Sequence, residues 1–170
     1  MRRFFLFVTI VLFVAACNNG SDEKKTDNTV VTTAADSKPS YDSIQLTADE
    51  IKDDSLDDAG YPNGTTWEHA GINDSISFKK FVKQLKVWSA NGAKENIATM
   101  LDYPLTNPEV KDEKDFIANY DKYFSEKVRK ALESQKLSQI YRDRLGIRIK
   151  DGEIWLKQTG KGYKITAINN

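Results

Sequence analysis

Apolar residues fall into four regimes along this chain, and each predicts a different kind of structure. Residues 4–13 form an apolar run broken only by Thr9, whereas residues 18–40 hold Val30 and Val31 as their only large aliphatics. From Phe78 onward the apolar positions take helical spacing: Phe78, Phe81, Val82, Leu85 and Trp88 share one face of a helix that Asp74 or Ser77 can cap and Asn91-Gly92 ends. A shorter helix over residues 93–101 turns Ile97, Met100 and Leu101 inward, and Tyr103-Pro104-Leu105 then forces an extended step. Asp112 and Asp115 open a longer helix with Phe116, Tyr120, Tyr123 and Phe124 along one side, and Ser125 is placed to recap it ahead of Val128, Ala131 and Leu132.

The last third changes period from helical to alternating. Ile147 and Ile149 alternate with Arg148 and Lys150, and Asp151-Gly152 reads as a two-residue turn into Glu153-Ile154-Trp155-Leu156. Gly160 and Gly162 set a second turn, after which Tyr163, Ile165 and Ala167 share one face of a closing strand; Ile140-Tyr141-Arg142 supplies a leading one. The order of elements predicts an α+β domain: helices first, then an antiparallel meander of three to four strands with the helices on one face.

The N-terminal run has a different use. Arg2 and Arg3, the apolar stretch and the small-residue step Val14-Ala15-Ala16-Cys17 have the layout of an export signal. Residues 4–16 are too few to span a bilayer, which takes about 20. Val14-Ala15-Ala16-Cys17 resembles the lipobox of bacterial lipoproteins. The resemblance implies cleavage before Cys17, a thioether-linked diacylglyceryl group on its sulfur, acylation of the new amine, and so a membrane partnership through the lipid. The alternative is an ordinary secretory signal in which Cys17, the only cysteine, falls there by chance. The expected address is the cell envelope, at the outer membrane, on its periplasmic or its surface face. Asn18-Asn19-Gly20-Ser21-Asp22-Glu23 resembles the acidic export signal of Bacteroidota surface lipoproteins.

Composition divides the remaining chain. Residues 18–60 carry 11 Asp/Glu and 4 Lys, and residues 61–170 carry 19 Lys/Arg and 14 Asp/Glu. Residues 1–16 are thus expected to be signal peptide, 17–65 an acidic, largely disordered tether, and 66–170 the globular domain. With Cys17 as its only cysteine, the exported domain has no disulfide and depends on core packing. Neither charge balance is large enough to argue for nucleic acid, and the envelope address argues against it. The cluster Asp53, Asp54, Asp57 and Asp58 fails as a calcium loop, because Asp58 and Gly64 stand where that loop needs glycine and glutamate.

Candidate chemistry is sparse. His69 is the only histidine, and no nucleophile-elbow or phosphate-cradling glycine pattern occurs, so neither metal nor cofactor is expected. The helix pair, the Tyr103-Pro104-Leu105 step, the helix through Tyr120 and Phe124 and the closing strands together resemble the cone of the nuclear transport factor 2-like superfamily, over about residues 76–169. That superfamily includes the SnoaL-like enzymes and non-catalytic binding modules. The resemblance implies a pocket between helices and sheet, with His69, Asp102, Asp115 and Asp143 as the groups to weigh for proton transfer. Tyr103, Tyr120, Tyr141 and Trp155 are the candidate ligand-binding residues, for a small apolar ligand or an envelope protein partner. Binding or assembly is the expected function, and a SnoaL-like small-molecule enzyme of isomerase or hydrolase type is the alternative.

Cys17→Ala is expected to move the protein out of the detergent phase on phase separation of expressing cells, since acyl chains contribute about 0.8 kcal/mol per buried methylene and no other segment replaces them. Retention of the variant in the detergent phase would refute the lipid anchor.

Overall fold

The computed structural model describes residues 41, 43–55, 62 and 64–170. The signal segment, Cys17 and the sequence up to residue 40 lie outside the described residues. In chain order the elements are α1 (Ala48–Ile51), α2 (Ser75–Ala90), α3 (Lys94–Ala98), β1 (Leu105–Thr106), β2 (Glu109–Val110), α4 (Glu113–Ala118), α5 (Tyr120–Tyr123), α6 (Glu126–Ser134), a 3₁₀ turn over Leu137–Gln139, then β3 (Tyr141–Asp143), β4 (Gly146–Ile149), β5 (Ile154–Thr159) and β6 (Gly162–Ile168). The protein is α+β: helices followed by a four-stranded antiparallel sheet in the order β3-β4-β5-β6. Among the described residues no helix is long and apolar enough to cross a membrane.

Helix α2 is the axis of the core. Asp74 caps it by accepting from the Ser77 amide at 2.9 Å, and Asn91 closes it, its amide donating to the Val87 carbonyl at 3.1 Å. Gly92 follows in the left-handed region. Its apolar stripe, Phe78, Phe81, Val82 and Leu85, is fully buried against the inner residues of the sheet, Ile147, Ile149, Ile154, Leu156, Ile165 and Ile168. Tyr163 of β6 meets Phe78 edge-on, with ring centroids 5.3 Å apart.

The same helix also buries a charge. Lys79 is 0% exposed, and its Nζ donates to the Ile51 carbonyl at 2.9 Å and the Lys52 carbonyl at 2.6 Å, and lies 2.8 Å from Asp53 Oδ1. Trp67 Nε1 donates to the other oxygen of Asp53 at 2.7 Å, and the Lys79 ammonium and the Arg142 guanidinium lie 5.7 and 4.6 Å from its ring centroid. One turn on, Lys83 reaches the Gln45 carbonyl and Glu50. Beside them Tyr41 packs on Phe81, and Asp54 bonds Ser138 through both its amide and its carboxylate. The expected boundary at residue 66 is therefore corrected for residues 44–55: these are built into the domain, with α1 held by a Thr47–Glu50 capping box. Their charges read as solvated spacer because the lysines that pair with Glu50 and Asp53 stand 26 or more residues away in sequence.

Other boundaries shift for local reasons. The helix expected from Asp112 breaks at Asn119, whose side chain donates to the Asp115 carbonyl and carboxylate. Ser125 precedes α6, but its hydroxyl makes no capping bond. The helix over residues 93–101 is shortened to α3, with Met100 and Leu101 buried beyond its end and Met100 bonded to the Ile165 amide of β6. The extended step at Tyr103 becomes a small hairpin, β1-β2, with Leu105 opposite Val110 and cis bonds before Pro104 and Pro108. The turn at Asp151-Gly152 has four residues and not two, since Ile149 pairs with Ile154; Lys150 and Gly152 take the left-handed conformations it needs. Strand β6 does not alternate throughout. Opposite Trp155 and Leu156 the partners skip from Ala167 to Ile165, a bulge that leaves Thr166 unpaired and turns Ile168 inward in place of Ala167.

A chain beginning at residue 61 is expected to melt roughly 10 °C below one beginning at residue 41, because stripping Lys79 of its oxygens leaves a buried charge at a cost of about 3 kcal/mol. Limited proteolysis of the mature protein is expected to leave a fragment starting near Tyr41. Equal melting temperatures would show that residues 41–55 only rest on the domain.

Candidate functional site

Among the described residues, the side chains between helices and sheet pack into one hydrophobic core. Phe116, Tyr120, Tyr123 and Phe124, on one side of α4 and α5, form a packed aromatic cluster: Phe116 meets Tyr120 edge-on at 5.6 Å, and Tyr120 stacks on Phe124 at 5.6 Å. Tyr120 is thus a core residue. Its hydroxyl is buried without a partner, and burial raises its pKa above the usual phenolic range. Tyr103 is half-buried before β1, with a hydroxyl that is likewise unpaired. Its pKa is pushed up first by burial and then by the nearby carboxylates of Glu113, Asp112 and Asp115. Both phenols stay protonated at neutral pH, which makes them hydrogen-bond donors and not bases.

The groups weighed for proton transfer do not converge. His69 is exposed on the turn before Ile72, with Nδ1 3.2 Å from Thr65 Oγ1. Asp102 lies 3.4 Å from Lys161. Asp115 accepts from the Lys111 amide at 3.0 Å, from Asn119 and from the Tyr123 hydroxyl; the Lys111 bond is the largest of the effects that hold its carboxyl below the usual range. Asp143, between Arg142 and Arg144 in sequence, accepts from the Leu145 amide at 2.7 Å and closes the β3-β4 turn, while Arg142 turns inward against Trp67. Each of these four has a local structural partner. Among the described residues no group of three or more His, Cys, Asp or Glu stands together as a metal site.

Several concavities mark the surface of the described residues, one of them bordered by Tyr120. A groove of about 610 Å³ runs between α2 and α6, with Val87 and Ala90 in its floor and Lys83, Lys86, Arg129 and Lys130 around it. Its cations are already engaged: Lys83 with Glu50, Lys130 with Glu126, Arg129 with Asp121 and the Phe124 carbonyl, and Lys86 with the Gln135 carbonyl. Burial pulls the Lys86 pKa below its usual value.

Another concavity, of about 360 Å³, lies on the outer face of the sheet, around Trp155. Register places Tyr141, Arg148, Trp155 and Ala167 in one row across β3, β4, β5 and β6. The Arg148 guanidinium sits 3.7 Å from the Tyr141 ring centroid, covering that ring. Trp155 is partly buried and borders the hollow with Asn107, Leu145, Lys157, Thr166, Ala167 and Asn169. Of the four candidate ligand-binding residues the structure brings only Tyr141 and Trp155 to one face, whereas Tyr103 and Tyr120 belong to the helical side. Asn107 and Asn169 were not among the sequence candidates. They reach the site through the β1-β2 turn and the C-terminal end of β6, and no periodicity marks that meeting.

Comparisons with protein families, with curated proteins and with solved structures returned no match. The reading of function therefore rests on the residues themselves.

Phe116→Ala is expected to cost about 3–5 kcal/mol as a buried-ring deletion, whereas Trp155→Ala is expected to cost only about 1–2, because that ring lies on the outer face and is already partly wet. Thermal and denaturant melts of the two variants check the order. A larger loss for Trp155→Ala would place its indole in the core.

Proposed function

We propose that this protein is a lipid-anchored lipoprotein of the cell envelope, probing its surroundings with a small binding domain whose site is the outer sheet face around Trp155. The observation that carries the reading is the division between a packed core among the described residues and an outward-facing, partly buried indole. An enzyme of the SnoaL-like kind works inside its cone; here the aromatic side chains occupy that space, and His69, Asp102, Asp115 and Asp143 each hold a turn, a cap or a surface ion pair. The order of helices and meander resembles that of a nuclear transport factor 2-like cone. In such a cone a closed interior leaves binding to the surface.

The lipid on Cys17 would supply the membrane partnership and leave the domain free to meet envelope components. An apolar small molecule is a poorer fit than the sequence suggested, since the Trp155 hollow is ringed by amides, a hydroxyl and a lysine.

Complementation of a deletion strain is expected to succeed with His69→Ala and fail with Trp155→Ala, both proteins being folded by thermal melt. A stable His69→Ala protein that fails to complement would reverse the reading in favour of catalysis.

A further inference from the structure

The hollow around Trp155 has more chemical definition than a generic contact surface. Its indole lies against the β4-β5 turn, where a Cβ on Gly152 would stand 3.3 Å from Trp155 Nε1; the glycine gives the ring room to lie there. Trp155 Nε1–H makes no hydrogen bond among the described residues, and so is an available donor. Opposite the ring, the bulge in β6 places Thr166 and the small Ala167, which keeps that bank low.

Two amides stand beside the ring in fixed positions. Asn107 Nδ2 donates to Asn169 Oδ1 at 3.1 Å, and Asn169 Nδ2 donates to the Gly152 carbonyl at 2.6 Å. Backbone bonds hold both residues: the Ile168 amide donates to the Asn107 carbonyl, and the Asn169 amide to the Glu153 carbonyl. Each Nδ2 keeps one further N–H, and Asn107 Oδ1 remains an acceptor. Donors and acceptors held in place cost little ordering when a polyhydroxylated ligand arrives.

The charge of the site is one-sided. Lys157 lies two residues beyond Trp155 on the same outer face, about 7 Å along the strand. Its stem packs over Gly146, where a Cβ would meet the lysine's side-chain carbons at 3.1 and 3.3 Å. Among the described residues Lys157 has no ion pair or hydrogen-bonded partner, and no carboxylate lines the hollow. This differs from the α2-α6 groove, where Glu50, Glu126 and Asp121 engage the cations.

We infer that the outer sheet face binds an acidic saccharide, with the C–H face of a pyranose ring stacked on Trp155, its hydroxyls on Asn107 and Asn169, and its carboxylate or phosphate on Lys157. The indole's negative face attracts polarised C–H bonds, the amides read hydroxyls, and the lone lysine selects for negative charge. The inference rests on the binding-module reading and names its ligand class.

The test uses the mature chain with Cys17→Ser, following the Trp155 indole N–H signal by NMR. The probes are trigalacturonate, maltotriose, mannose 6-phosphate and a single-stranded thymidine octamer. Trigalacturonate or mannose 6-phosphate is expected to shift the signal at least about tenfold more tightly than maltotriose, a factor worth about 1.4 kcal/mol. Whichever acid binds tighter identifies the carboxylate or the phosphate as the native group. Lys157→Gln is expected to remove the preference for acid and Asn107→Ala to weaken all sugars, each with the melting temperature unchanged. An indole signal unmoved by every sugar, an octamer that binds more tightly than the acidic sugars, or acid preference retained in Lys157→Gln would each overturn the assignment. Because detergent partition of the Cys17 protein is measured separately, failure here leaves the lipid anchor standing.

Discussion

One buried ammonium group determines how much of this chain must fold together. Lys79 sits on the apolar side of α2, fully out of water, and an uncompensated charge there would cost several kcal/mol. Two carbonyls and a carboxylate from residues 51–53 compensate it, and Trp67 ties that carboxylate to the other side of the node, where the Arg142 guanidinium lies 4.6 Å from its ring. Burial pulls the Arg142 pKa down, and Asp53 works against that shift. One carboxylate thus serves two buried cations, one from α2 and one from β3. The segment before α2, the helix and the sheet edge are coupled through a single side chain.

This coupling explains which parts of the fold could be read from sequence. Helix α2 and the meander were legible because their apolar residues recur at 3.6 and at two, and both periods report burial directly. Residues 44–55 were not. They contribute backbone carbonyls, one carboxylate and a capped turn, and a stretch that works through polar groups has the composition of solvated linker. The break at Asn119 and the bulge at Thr166 were hidden for a related reason: each depends on a particular hydrogen bond or pairing step that leaves the apolar count unchanged.

The site shows the same partition. Trp155 could be singled out as a large side chain in a central strand, but its face could not be fixed, because Ile154 and Leu156 on either side are also apolar and alternation there has two consistent readings. The structure resolves this by burying Ile154 and Leu156 completely. Tyr141 follows Trp155 to the outer face through register, and Arg148 between them covers the tyrosine. A sequence reading that grouped four aromatics as one pocket lining was grouping residues that serve two opposite layers.

The bulge in β6 links these observations. Without it, strict alternation would carry Ala167 inward with Ile165, and Ile168, at the end of the strand, would face water. The extra residue lets Ile165 and Ile168 both reach the core and leaves Thr166 and Ala167 together on the outside, opposite Trp155. The irregularity that completes the hydrophobic layer is therefore the one that lowers the bank beside the indole. Asn169 follows directly, where its side chain meets the Gly152 carbonyl and Asn107. Core packing on one face of the sheet and a polar, amide-lined hollow on the other arise from the same single-residue insertion, so a change that removed the bulge would disturb both.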